Sequence, residues 1–202
     1  MKYLFLLLIG MTVISCESQT RTDLLALKFD ENILPIVQRD PQLKKDQDPN
    51  LGLRGYTTNK PGNYAIAGVK LSTYAFPNGN LADENSLSLF TTDTDKPNYL
   101  GFKYTSVDQE ETKAIVDYLK KAYPNYKQGD KNGKTESFFW EVPTLNAWIF
   151  MYQGISNDKN DQEFFTSNFI VVKRGTRMEN SHDPKVISIK EYFNMMYPGV
   201  IK

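Results

Sequence analysis

Six runs of this chain, residues 64–76, 86–92, 99–106, 136–142, 145–153 and 163–173, alternate side chains with a period of two or are continuously apolar. Most are bounded by turn-forming residues, and that combination constrains the fold most, because it suits extended strands and not helices. In SLSLFTT, Leu87 and Leu89 fall on one face, and YLGFKYTS follows as the next strand. Pro77-Asn78-Gly79-Asn80 supplies an Asn-Gly step suited to the positive φ of a tight turn.

Two segments break the strand pattern. Asp108 with Glu111 makes a capping-box-like start for a helix whose apolar stripe is Ile115, Tyr118, Leu119 and Ala122. Lys120 and Lys121 suit the negative end of its dipole, and Pro124 stops it. Ser188 with Glu191 opens a second helix, which Pro198 ends. A shift of 74 positions carries the first stripe onto Ile189, Tyr192, Phe193 and Met196, and Tyr123-Pro124 onto Tyr197-Pro198. The expectation is an α+β fold with an antiparallel sheet and helices packed on one face, built from a duplicated βββα unit over residues 64–126 and 136–200. Before it, Asp23 is placed to cap a short helix over residues 24–28, and Pro35 forbids one unbroken helix through the second apolar cluster. Residues 40–62, rich in Pro, Gly, Asn and charge, are expected to form a long irregular excursion.

The N-terminus addresses the chain rather than folding it. Lys2 precedes an apolar run, residues 3–11, far shorter than the roughly 20 residues needed to span a bilayer. Val13-Ile14-Ser15-Cys16 resembles the lipobox of bacterial lipoproteins. That resemblance implies cleavage of residues 1–15 as a signal peptide and attachment of a diacylglycerol to the Cys16 sulfur, with an acyl chain such as palmitate on the new amine. It also implies a cell-envelope location, periplasmic or surface-facing, with residues 16–22 as lipidated cysteine and tether and residues 23–202 as a single globular domain. One acyl chain binds a membrane reversibly, and two or more hold it durably.

Cys16 is the only cysteine, so a mature domain tethered through it has neither disulfide nor thiol nucleophile and relies on a buried core. Basic and acidic residues are equal at 24 each, which gives no excess positive charge for phosphates and argues against a nucleic-acid partner. His182 is the only histidine, so multi-histidine metal sites are excluded, and Ser181-His182-Asp183 are too close in sequence to adopt triad geometry. None of the acidic loops at 93–95, 130–133 and 158–163 spaces its ligands as an EF-hand does, so no metal or other cofactor is expected.

Two further features bear on function. Glu141, between Trp140 and Val142, lies in an apolar strand where burial would raise its pKa, as a glycan hydrolase requires of its acid; the plainer reading is that it points to solvent from a half-exposed face. Trp148, Phe150 and Tyr152 alternate along one strand, and Trp140 lies in the strand before it. If helices cover one side of the sheet, such an aromatic row is either core or a platform for a ligand. The resulting expectation is a lipid-anchored envelope protein of binding or assembly type. Trp140, Trp148, Phe150 and Tyr152 are its ligand-binding candidates, and a glycan, a peptide or another envelope protein is its partner. A carboxylate-dependent glycan hydrolase and a purely structural lipoprotein are the alternatives.

Overall fold

The period-two segments assemble, as expected, into a mainly antiparallel sheet within an α+β fold. The computed structural model describes residues 21–80, 83–129 and 133–201, so Cys16 and the lipobox lie outside the described residues. In chain order the strands are β1 (Thr22–Asp23), β2 (Lys44–Gln47), β3 (Arg54–Thr58), β4 (Tyr64–Ile66), β5 (Val69–Lys70), β6 (Ser86–Thr91), β7 (Tyr99–Ser106), β8 (Tyr126–Gln128), β9 (Ser137–Val142), β10 (Ala147–Asn157) and β11 (Glu163–Lys173). The helices are α1 (Leu34–Arg39), α2 (Gln109–Ala122) and α3 (Ile189–Met196). Eight strands form one sheet in the order β2-β3-β6-β7-β11-β10-β9-β8, and β1-β4-β5 form a small second sheet.

Residues 40–62 are not the irregular excursion their composition suggests. They contain the β2–β3 hairpin, which extends the main sheet through the β3–β6 pair. Asp48 makes this hairpin: its carboxylate accepts hydrogen bonds from the amides of Asn50 (2.9 Å) and Leu51 (2.8 Å). Residues 64–76 hold only the short β4 and β5, joined by a turn in which Ala67 and Gly68 both have positive φ. Asp23 caps a 3-10 turn, Leu24–Ala26, and α1 begins after seven intervening residues with Pro35 in its first turn.

The helices do not share one face. Ile115, Val116 and Leu119 of α2 pack with Leu89, Phe102, Ile149 and Trp140, whereas Ile189 and Phe193 of α3 pack with Phe139, Phe150 and Ile170. Those two sets are the alternate residues of the same strands, so the helices cover opposite sides. β10 is apolar on both faces, and both must be shielded from water. The repeated βββα unit fails with it. Two four-stranded meanders, β2-β3-β6-β7 and β8-β9-β10-β11, do meet at the β7–β11 pair. Yet α2 follows β7 after 2 residues and α3 follows β11 after 15, on opposite faces. The 74-residue shift therefore aligns two amphipathic helices and not two copies of a folding unit.

At the centre of the sheet Gly101 permits a close approach. A Cβ there would lie 2.0 Å from the Val171 carbonyl oxygen, which only glycine avoids.

Candidate functional site: a polar shelf on the sheet

Strand register brings together residues that sequence keeps far apart. Ser86 pairs with Thr105, Thr105 with Asn168, Asn168 with Tyr152, and Tyr152 with Ser137. This row crosses β6, β7, β11, β10 and β9 on the α3 side, and all five residues are half-buried. The next row, Thr57, Ser88 and Lys103, is also polar and half-buried before it passes into the covered Ile170, Phe150 and Phe139. Antiparallel sheets commonly pack one face on the core and leave the other to water. Here half of one face is a shelf of hydroxyl, amide and ammonium groups.

The shelf is partly pre-ordered. Thr105 Oγ1 donates to Asn168 Oδ1 at 2.9 Å, which leaves the Asn168 amide nitrogen directed elsewhere. The Thr57 and Ser88 hydroxyls lie 3.2 Å apart. Lys103 Nζ donates to the well-buried Asp48 carboxylate at 2.9 Å, so the hairpin tip that Asp48 shapes is tied to the sheet centre. At the α3 edge the Tyr152 and Tyr197 rings lie 4.8 Å apart. Burial raises the pKa of both phenols, that of Tyr197 to about 12, so each remains a neutral donor and acceptor. The shelf can hold polar groups by hydrogen bonds and an apolar sugar face against a ring.

The four expected ligand-binding residues are not brought together. Trp140 lies on the α2 face, fully buried against Tyr126 and Phe138. Phe150 is equally buried, with its ring 4.7 Å from that of Phe193, and Trp148 belongs to the same cluster beneath α3. These three are core residues because helices cover both faces. Tyr152 alone borders the open shelf. Sequence reading passed over Ser86, Thr105 and Asn168. Each was legible as the polar member of an alternating strand, but only register aligns them.

Glu141 takes the plainer of its two readings. It projects toward solvent, where Lys190 Nζ (3.1 Å) and Arg174 (2.8 Å) reach its two oxygens. The Lys190 hydrogen bond chiefly lowers its pKa, the reverse of what a general acid needs. His182 is exposed. Asp158 turns its carboxylate onto the amides of Asn160 (2.7 Å) and Gln162 (2.8 Å) of its own loop, and residues 130–132 lie outside the described residues. Among the described residues no group of three or more His, Cys, Asp or Glu is placed to hold a metal ion, and no helix is long and apolar enough to cross a membrane.

No family model, curated protein or solved structure matches this chain.

Proposed function

We propose that this protein is a lipid-anchored, cell-envelope binding protein that holds a neutral carbohydrate chain on the polar shelf. The observation that carries this reading is the row Ser86–Thr105–Asn168–Tyr152, half-exposed on the interior strands of the sheet. Its groups are the hydroxyl, amide and phenol partners that sugar hydroxyls satisfy, and Tyr152 and Tyr197 offer ring surface beside them. The lipobox resemblance at Cys16 supplies the membrane anchor and the envelope location. Acid–base glycan cleavage at Glu141 gains no support from its depressed pKa.

The test uses the full-length protein purified in detergent on an array of neutral glycans. Binding that falls at least tenfold in Thr105→Val combined with Asn168→Ala, with the fold intact, supports the reading. Binding unaffected by that pair, or no binding at all, refutes it. For the anchor, Cys16→Ser should lose the lipid mass by intact-protein mass spectrometry and leave the membrane fraction; full retention would contradict lipidation.

A further inference from the structure

An apolar cleft opens on the α2 side of the sheet, between residues 24–30 and the β9–β10 connection. Its volume is about 530 Å³, within the range of small-molecule sites, about 300–1,000 Å³. The floor is Leu24, Tyr99, Ala147 and Val171, all buried members of the α2-side core. The Tyr99 hydroxyl is the one polar side-chain group of that floor, and it donates to the Leu24 carbonyl at 3.4 Å. Leu27 and Phe29 rise on one side and Leu145 on the other, each half-buried. Such a floor and walls favour apolar surface and leave a buried polar group without a partner.

Both walls are held in place. The Asp30 amide donates to the Tyr99 carbonyl at 2.9 Å and the Tyr99 amide to the Glu31 carbonyl at 2.8 Å, which ties the first wall to the start of β7. On the other side Asn146 ends the β9–β10 connection with left-handed backbone (φ 51°), and its carbonyl accepts from the Arg174 amide at 2.8 Å. The charges at the rim are paired with one another. Lys173 pairs with Asp30, and Lys28 Nζ lies 3.8 Å from Glu31. A free fatty acid or a phospholipid would therefore bring an anionic head to a rim whose two lysines already have carboxylate partners.

The chain itself supplies a lipid without such a head. Resting on the Cys16 lipidation proposed above, we infer that the cleft holds one acyl chain of this protein's own lipid. Leu24, in the floor, follows Cys16 by eight residues, so the sulfur stays within about 28 Å of the cleft at roughly 3.5 Å per residue. A thioether-linked diacylglycerol and an amide-linked acyl chain are both uncharged, which suits a rim of paired charges. The short tether makes capture intramolecular, at an effective concentration on the order of millimolar. A chain held in the cleft is one fewer in the bilayer. Because one chain binds a membrane reversibly and two or more hold it durably, the cleft sets how firmly the protein is retained.

Site-specific photocapture of the full-length protein in its own membrane decides the matter. A diazirine amino acid in place of Leu145 should, on illumination, join the Cys16 lipid of the same molecule, as identified by mass spectrometry of the joined peptides. The same group in place of Met195, exposed on α3, should not capture that lipid. Ala26→Trp and Thr144→Trp each add a bulky ring at the cleft from an exposed position, one on either wall. Each should lower capture at least fivefold with the melting temperature unchanged. Capture of phospholipid or free fatty acid at position 145, no lipid captured there, equal capture from position 195, or capture undiminished in both tryptophan variants would each overturn the inference. Intact mass separates this outcome from failure of the anchor. Protein without a lipid mass defeats the lipidation reading, whereas lipidated protein that gives any of those results defeats the cleft alone.

Discussion

Tyr104 and Thr105 are neighbours in β7, and they meet opposite surroundings. Tyr104 points to the α2 face and is fully buried. Its hydroxyl donates to the Glu111 carboxylate and accepts from Asn85 Nδ2 at 2.9 Å. Asn85 also donates to Ser72 Oγ (2.9 Å) and accepts from the Val107 amide (2.8 Å), while the Ser72 amide donates to Glu111 at 2.8 Å. This closed knot fastens residues 72 and 85, the ends of a long connection, to the start of α2. Thr105 points the other way, into the shelf, where its one described protein partner is Asn168. The difference separates two uses of polar groups in a sheet. In the knot every donor must find an acceptor, because an unmet buried group costs about 1–3 kcal/mol. On the shelf water can satisfy what the protein does not, so the groups remain available to a ligand.

The largest effect should come from removing what covers the shelf's apolar flank. Phe193 is buried with its ring 4.7 Å from Phe150 and 4.8 Å from Tyr197. Phe193→Ala should cost about 3–5 kcal/mol in urea unfolding. A cost below 1 kcal/mol would mean that α3 is not an integral cover for that face.

The comparison itself is tested next. Glu111→Ala strips the acceptor from Tyr104 and from the Ser72 amide and should destabilise by about 2–3 kcal/mol. Thr105→Val, one residue from Tyr104 and on the other face, should change stability by no more than about 1 kcal/mol. Similar costs for the two would remove the distinction between knot and shelf.

The smallest effect is in pH dependence. Burial raises the Glu111 pKa above its ordinary 4.5, so the folded state holds that proton more tightly than the unfolded chain. Its contribution to stability therefore falls as pH rises from about 4.5 through the raised value. Glu141, with its pKa lowered mainly by Lys190, has the opposite sign: its contribution is present above 4.5 and is lost as pH falls through the lowered value. Urea midpoints measured from about pH 2.5 to 7 should fall less with rising pH in Glu111→Gln than in the unaltered protein. Glu141→Gln should rise less. Parallel curves for all three would show that neither carboxylate is perturbed.

Several boundaries follow from local chemistry alone and were legible. Strand β7 spans the residues its alternation marks, Asp108 accepts from the Glu110 and Glu111 amides, and Ser188 with Glu191 forms the full capping box. Glu111 shows where local reading fails. Its spacing from Asp108 suits a capping box, but its carboxylate is drawn into the buried knot, because Tyr104 and Ser72 offer donors that only the folded chain brings near. The β2–β3 hairpin was hidden because β2, KKDQ, is an exposed edge strand with no apolar period to read. Charged residues suit such an edge, since they discourage pairing with another chain.

The sequence by itself determined the strand-rich α+β class, the absence of any disulfide within a chain that holds one cysteine, and the caps of both long helices. Each depends on residues within a few positions of one another or on plain counts. Tertiary structure decided which side of the sheet each helix covers, and so made Trp140, Trp148 and Phe150 core and left Tyr152 at an open edge. It also decided the shelf, which joins residues from separate strands through register; a shift of one residue would turn every side chain to the other face.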